Sequence, residues 1–105
     1  MKILVFVTDL MLMVKTEEML KSMHADFQTL ESADALPQFD WIILDLENPL
    51  SFQFIAKYPS KTICFCPHAE TGLMEKASSL GCSHVYARGF FFSNLGKIVA
   101  SLNAG

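Results

Sequence analysis

Two kinds of side chain supply the first chemistry to weigh, soft metal ligands and a fixed cation. Cys64, Cys66 and His68 alternate along the chain, so a straight strand points all three to one face. Sulfur and imidazole together suit zinc, with a fourth ligand then drawn from Cys82, His84 or His24. No CxxC pair occurs, and small cysteines buried in a strand core are the commoner arrangement. A redox thiol at Cys66 is a further option, if Arg88 lies close enough to lower its pKa. Arg88 itself can hold a phosphate or a carboxylate through two parallel hydrogen bonds. Phe90-Phe91-Phe92 carries chemistry of another sort. One helix face cannot bury three consecutive rings. Phe91 and Phe92 can share a core side, and a ring left outside favours a protein interface. The alternative is that all three are buried under the adjoining loop.

These residues are positioned by short elements that read clearly. Ile3 to Val7 is a continuous apolar run rich in β-branched residues, the pattern of a strand buried on both faces in a parallel sheet. Thr8 or Asp9 then offers a side-chain oxygen to start a helix. Leu12, Met13, Thr16, Met19, Leu20 and Met23 recur at helical spacing over 10–24, so the methionines belong mostly to that helix's core face. A weaker strand is expected over 26–30 and a short helical or irregular piece over 33–38. Trp41 to Leu46 is the clearest strand, ended by Asn48-Pro49. A short helix over 51–58 closes at Pro59. A strand over 62–66 stops at Pro67, a helix over 70–80 stops at Gly81, and a short strand covers 84–87. Phe91, Leu95, Ile98, Val99 and Leu102 mark a last amphipathic helix. Strands alternating with helices predict a three-layer α/β fold of flavodoxin-like type, written as five βα units, with a parallel five-stranded sheet and helices on both faces. Polar chemistry in such sheets gathers outside the carboxyl ends of the strands. Here that means Thr8, Asp9, Asp45, Glu47, Cys66, His68, Arg88 and Gly89.

Composition excludes several classes. One domain is expected over 1–105. A chain of 51% apolar and 18% charged residues has the material to fold. A formal charge of −3 argues against a nucleic-acid binder with a basic surface. No apolar run approaches the length of a membrane span or of a signal peptide's apolar core. Three cysteines argue against a disulfide scaffold and make a reducing cytoplasm the default. Val7-Thr8-Asp9-Leu10 is no glycine-rich phosphate loop, and no Ser-His-Asp order accompanies a nucleophile elbow.

With the five strands in this order, the chain resembles the receiver domain of two-component response regulators along essentially its whole length. The best segment is Phe39-Asp40-Trp41-Ile42-Ile43-Leu44-Asp45-Leu46-Glu47-Asn48-Pro49. In receivers the third strand ends in the phospho-accepting aspartate, with a proline four residues later; Asp45 and Pro49 match both. Residues 61–70 resemble the fourth strand and its loop, and Gly81 to Phe90 the fifth. The departures are equally specific. Receivers carry two adjacent acids after the first strand, and those positions are Val7 and Thr8 here, or Thr8 and Asp9 with the register slid by one. Cys66 replaces a Thr or Ser. Arg88-Gly89 replaces Lys-Pro. Tyr86 stands one place away from the family's aromatic position, which holds Val85.

The resemblance implies phosphoryl transfer to Asp45, a reaction that depends on positioning and charge neutralisation. Magnesium needs near-octahedral oxygen ligands, usually including carboxylates. Asp9 and Asp45 are the candidate ligands, and weak magnesium binding is expected. The bland reading of Asp45 is a carboxylate hydrogen-bonded to its own loop. Glu47 either enters the metal site or is solvated, and Arg88 can pair permanently with Asp45. Cys66 cannot grip a phosphoryl oxygen as Thr does. The expected activity is therefore that of a degenerate receiver, or pseudo-receiver. It is not an enzyme beyond any phosphoryl-acceptor activity, and it acts in signalling through protein contacts. By family analogy the helix before the fifth strand, that strand and the last helix form the contact face, with Tyr86 and Phe90 on it. A histidine kinase, an output protein or a second copy are the expected partners. With no effector segment in the sequence, any output passes through contacts with another molecule. The alternatives are a working receiver using Asp45, and a small-ligand or metal-binding flavodoxin-like domain using Cys66, His68 and Arg88.

Overall fold

The computed structural model describes residues 1–104. Its strands are β1 (Lys2–Phe6), β2 (Asp26–Thr29), β3 (Trp41–Asp45), β4 (Thr62–Cys66) and β5 (His84–Ala87). Its helices are α1 (Leu10–Ser22), α2 (Leu50–Lys57), α3 (Thr71–Ser79) and α4 (Arg88–Ala104). A single 3-10 turn at Pro59–Lys61 leads into β4. The strands form one parallel sheet in the order β2-β1-β3-β4-β5.

The continuous apolar runs of β1, β3 and β4 are buried because helices cover both sides of the sheet. Residues one apart feed opposite layers. Ile3, Val5, Ile43, Ile63 and Phe65 pack with Leu20 of α1 and with Phe91, Leu95 and Val99 of α4. Leu4, Phe6, Ile42, Leu44, Cys64 and Cys66 pack with Phe52 and Ile55 of α2 and Ala77 of α3. The helix-one stripe lies where its spacing placed it: Thr16 and Leu20 are buried, and Leu12, Met13, Met19 and Met23 pack against the first core.

Two elements differ from expectation. The second βα unit is incomplete, since no helix joins β2 to β3. Residues 30–40 cross in irregular conformation, and Leu30, Ala33, Leu36 and Phe39 lie on the second core in the helix's place. Local chemistry opposes a helix there. The Ser32 hydroxyl accepts the Asp34 N–H at 3.3 Å, Ala35 has φ +48°, and Pro37 follows. The last helix also begins earlier than its apolar spacing implied, at Arg88, with no loop after β5. In its first turn Phe91 (0% exposed) and Phe92 (6%) turn inward, and Phe90 (54%) is left outside.

Phe91 stacks on Phe65 at 4.7 Å between centroids. Phe91→Ala is expected to lower unfolding stability by about 3–5 kcal/mol. Phe90→Ser should cost about 1 kcal/mol or less. Urea unfolding curves followed by circular dichroism distinguish the two.

Candidate functional site

The carboxyl ends of β1 and β3 meet at an open depression lined by Thr8, Asp9, Asp45, Glu47, Asn48 and Pro49. Asp45 is the last residue of β3 and is only 4% exposed. The turn after it is built on its own polar atoms. The Glu47 N–H donates to the Asp45 carboxylate at 3.0 Å. The Asp45 carbonyl accepts the Asn48 N–H at 3.1 Å and the buried Ser51 hydroxyl at 2.6 Å. Burial pushes the Asp45 carboxyl above the usual carboxylate range, and the nearby charges of Glu47 and Asp9 push the same way. The Glu47 N–H and Arg88 oppose this without cancelling it.

The residues around Asp45 are committed elsewhere. Phe6 pairs with Leu44, so Val7 comes level with Asp45, yet its side chain lies in the α1–α4 core. Thr8 is exposed, and its hydroxyl accepts the Asn48 side-chain amide at 3.2 Å. Asp9 caps α1 by accepting the Leu12 N–H at 3.0 Å, which satisfies a donor the helix cannot satisfy internally. Arg88 reaches Glu47 at 3.8 Å rather than forming the envisaged pair with Asp45. Burial of Asp45 under its own turn, against half-exposed Glu47, accounts for that choice. Exposed pairs of this kind contribute at most about 1 kcal/mol.

Cys66 does not line the depression. It is fully buried on the α2–α3 side, with its thiol donating to the Glu70 carbonyl at 3.7 Å. Burial raises its pKa, and Asp45, Glu70 and Glu47 raise it further against Arg88. That is the reverse of an activated thiol. The sulfur–imidazole cluster is also dispersed. Cys64 and Cys66 share a face as alternation required, but His68 is exposed beyond the carboxyl end of β4. Cys82 and His84 lie at the amino end of β5, and His24 sits in the α1–β2 turn. Among the described residues no cluster of three or more His, Cys, Asp or Glu side chains is placed to hold a metal ion.

Two residues of the site escaped sequence reasoning. Asn48 laces the two loops together, since its amide donates to Thr8 and its oxygen accepts the Leu50 N–H at 3.0 Å. An Asn before Pro at a strand end is the signal that could have marked such a turn. Ser51 lies one residue inside α2, and nothing in the local sequence distinguishes it from a solvated serine.

The fold is that of response-regulator receiver domains. A response regulator from Thermotoga maritima superposes with a TM-score of 0.77 at 11% identity, covering 99% of this chain and 98% of its own. A Francisella response-regulator receiver domain gives 0.77 at 14%, covering 96% and 94%. The chemotaxis response regulator CheY4 of Vibrio cholerae gives 0.74 at 15%, covering 95% and 96%. No family model and no curated protein sequence matches the chain.

The raised Asp45 pKa has a defined sign. The folded carboxyl holds its proton more tightly than the unfolded one, so ionisation costs stability. That cost is absent below about pH 4, the range of an unfolded carboxyl. It grows as pH rises towards the folded value and is constant above it. Asp45→Asn, which can still accept the Glu47 N–H, is expected to be more stable than the parent at pH 7. In urea titrations from pH 3 to pH 7, the advantage should vanish at the acid end. Equal stability throughout contradicts this account.

Proposed function

We propose that this chain is a degenerate receiver acting in signalling through protein contacts, with phosphorylation of Asp45 weak or absent and no enzymatic turnover. The receiver fold supports the signalling role. One observation carries the degeneracy: around Asp45, the places of the receiver's acidic pair are filled by a core valine and a hydroxyl bonded to Asn48, and the next acid, Asp9, is engaged as a helix cap. A hard divalent cation requires several oxygen ligands with negative charge among them. These side chains do not fit magnesium as a receiver's do, and no step of the proposed function passes through it.

The contact face we assign contains Tyr86 and Phe90, whose rings stack at 5.6 Å with an interplanar angle of 17°. An exposed Phe90 ring stacked on a partly buried Tyr86, on the end of a rigid strand and helix, suits a protein partner: a histidine kinase, an output protein or a second copy. The formal charge of −3 disfavours nucleic acid. Among the described residues no helix is long and apolar enough to cross a membrane. We place the protein in the cytoplasm, in keeping with its three free cysteines.

Position alone favours the second reading, a working acceptor, because Asp45 ends β3 at an open depression. Incubation with magnesium and acetyl phosphate separates the two. The expected intact mass is unchanged. A gain of one phosphoryl group that disappears in Asp45→Asn establishes the acceptor. Self-association is checked by size-exclusion light scattering, where a dimer should dissociate in Phe90→Ser.

A further inference from the structure

Cys64 and Cys82 stand apart from the depression, and nothing in the proposed function uses them. Their sulfurs lie 3.4 Å apart. Both are buried, Cys64 at 0% and Cys82 at 4% exposure. Their surroundings are not simply apolar. The Thr62 hydroxyl donates to the Cys82 sulfur at 3.2 Å. The Thr62 carbonyl lies 3.4 Å from that sulfur and the His84 carbonyl 3.6 Å. The Cys66 thiol donates instead to the Glu70 backbone carbonyl.

We propose that Cys64 and Cys82 are a redox couple that closes to an intramolecular disulfide on exposure to hydrogen peroxide. Closure needs the sulfurs at about 2.0 Å, so one must advance by a little over an ångström. Cys64 is held in the middle of β4, which pairs with β3 on one side and β5 on the other. Cys82 is outside the sheet. It lies in the turn between α3 and β5, directly after Gly81 at φ +101°, and its side chain faces Cys64 across the second core.

Hydrogen bonds from Cys64 and Thr62 stabilise a Cys82 thiolate and outweigh the burial that opposes it, drawing its pKa down to about 6. The Cys64 thiol is pushed up by the same contact. Cys82, which also receives a hydrogen bond from the Thr62 hydroxyl and is the one of the two with exposed surface, is the nucleophile. Its thiolate takes one peroxide oxygen to become a sulfenic acid, and hydroxide leaves. The Cys64 sulfur then displaces the sulfenic hydroxyl, forming the S–S bond, and its proton is taken up with that hydroxide as water. The two thiols lose two electrons and two protons, and peroxide becomes two waters. Burial selects a small neutral oxidant over a bulky disulfide.

The test uses the full chain. After peroxide treatment, remaining thiols are alkylated with iodoacetamide under denaturing conditions, and the protein is weighed and mapped by peptide mass spectrometry. The expected result is one alkylated cysteine, Cys66, with a 64–82 linkage, and three alkylated cysteines once dithiothreitol is added. Cys66→Ser should retain the linkage, and Cys64→Ser and Cys82→Ser should each lose it. The map of the parent protein decides the matter even where a variant fails to fold. Three alkylatable thiols after peroxide overturn the proposal, as does a linkage through Cys66 or a sulfinic acid at Cys82 without a linkage.

Discussion

A parallel strand covered on both faces has nowhere to put a polar side chain except at its ends. β1, β3 and β4 are under that constraint, and most of the molecule follows from it. Ile3, Leu4, Val5, Ile42, Ile43, Leu44, Ile63, Cys64, Phe65 and Cys66 have no exposed surface, because each feeds one of two cores. Asp45 is tolerated because it is the last residue of its strand. Even there it is sunk deeply enough to need its own turn as solvent: one N–H for the carboxylate, and an N–H and a hydroxyl for the carbonyl. Buried polar atoms remain when they are satisfied, and this one is satisfied locally.

That local satisfaction shapes the electrostatics of the depression. Three carboxylates approach one another, at Asp9, Asp45 and Glu47, and each has a separate occupation. Asp9 holds the start of α1, Asp45 holds its loop, and Glu47 meets Arg88. An ion-binding centre needs carboxylates converging on a point. Here they are drawn apart by hydrogen bonds to backbone and guanidinium, and burial first, with the nearby charges of Glu47 and Asp9 added, raises the Asp45 pKa.

The fold was legible where periodicity was strong. The runs at Ile3–Val7 and Trp41–Leu46 left little choice but buried strands, and the stripe from Leu12 to Met23 described a helix face that the structure reproduces. Residues 30–40 were harder, since Leu36 and Phe39 can cover a sheet from a helix or from a loop, and apolar spacing alone does not distinguish the two. At the site, residue types and strand ends were readable, whereas side-chain pairing was not. Nothing in the spacing of Glu47, Asp45 and Arg88 states which carboxylate the guanidinium meets. That depends on relative burial, which exists only once the turn after β3 has formed. Cys66 misled for a related reason: alternation gives its face correctly, and that face is the core. The proximity of Cys82 to Cys64 is set by the α3–β5 turn, which brings together positions far apart in the chain.

The absence of a loop between β5 and α4 ties two distant-looking features together. Ala87 ends the strand and Arg88 begins the helix, so the guanidinium that touches Glu47 and the ring of Phe90 stacked on Tyr86 sit on the same helical turn. They form a single stiff lever. Whatever orients this turn orients together the cation beside the depression and the aromatic face.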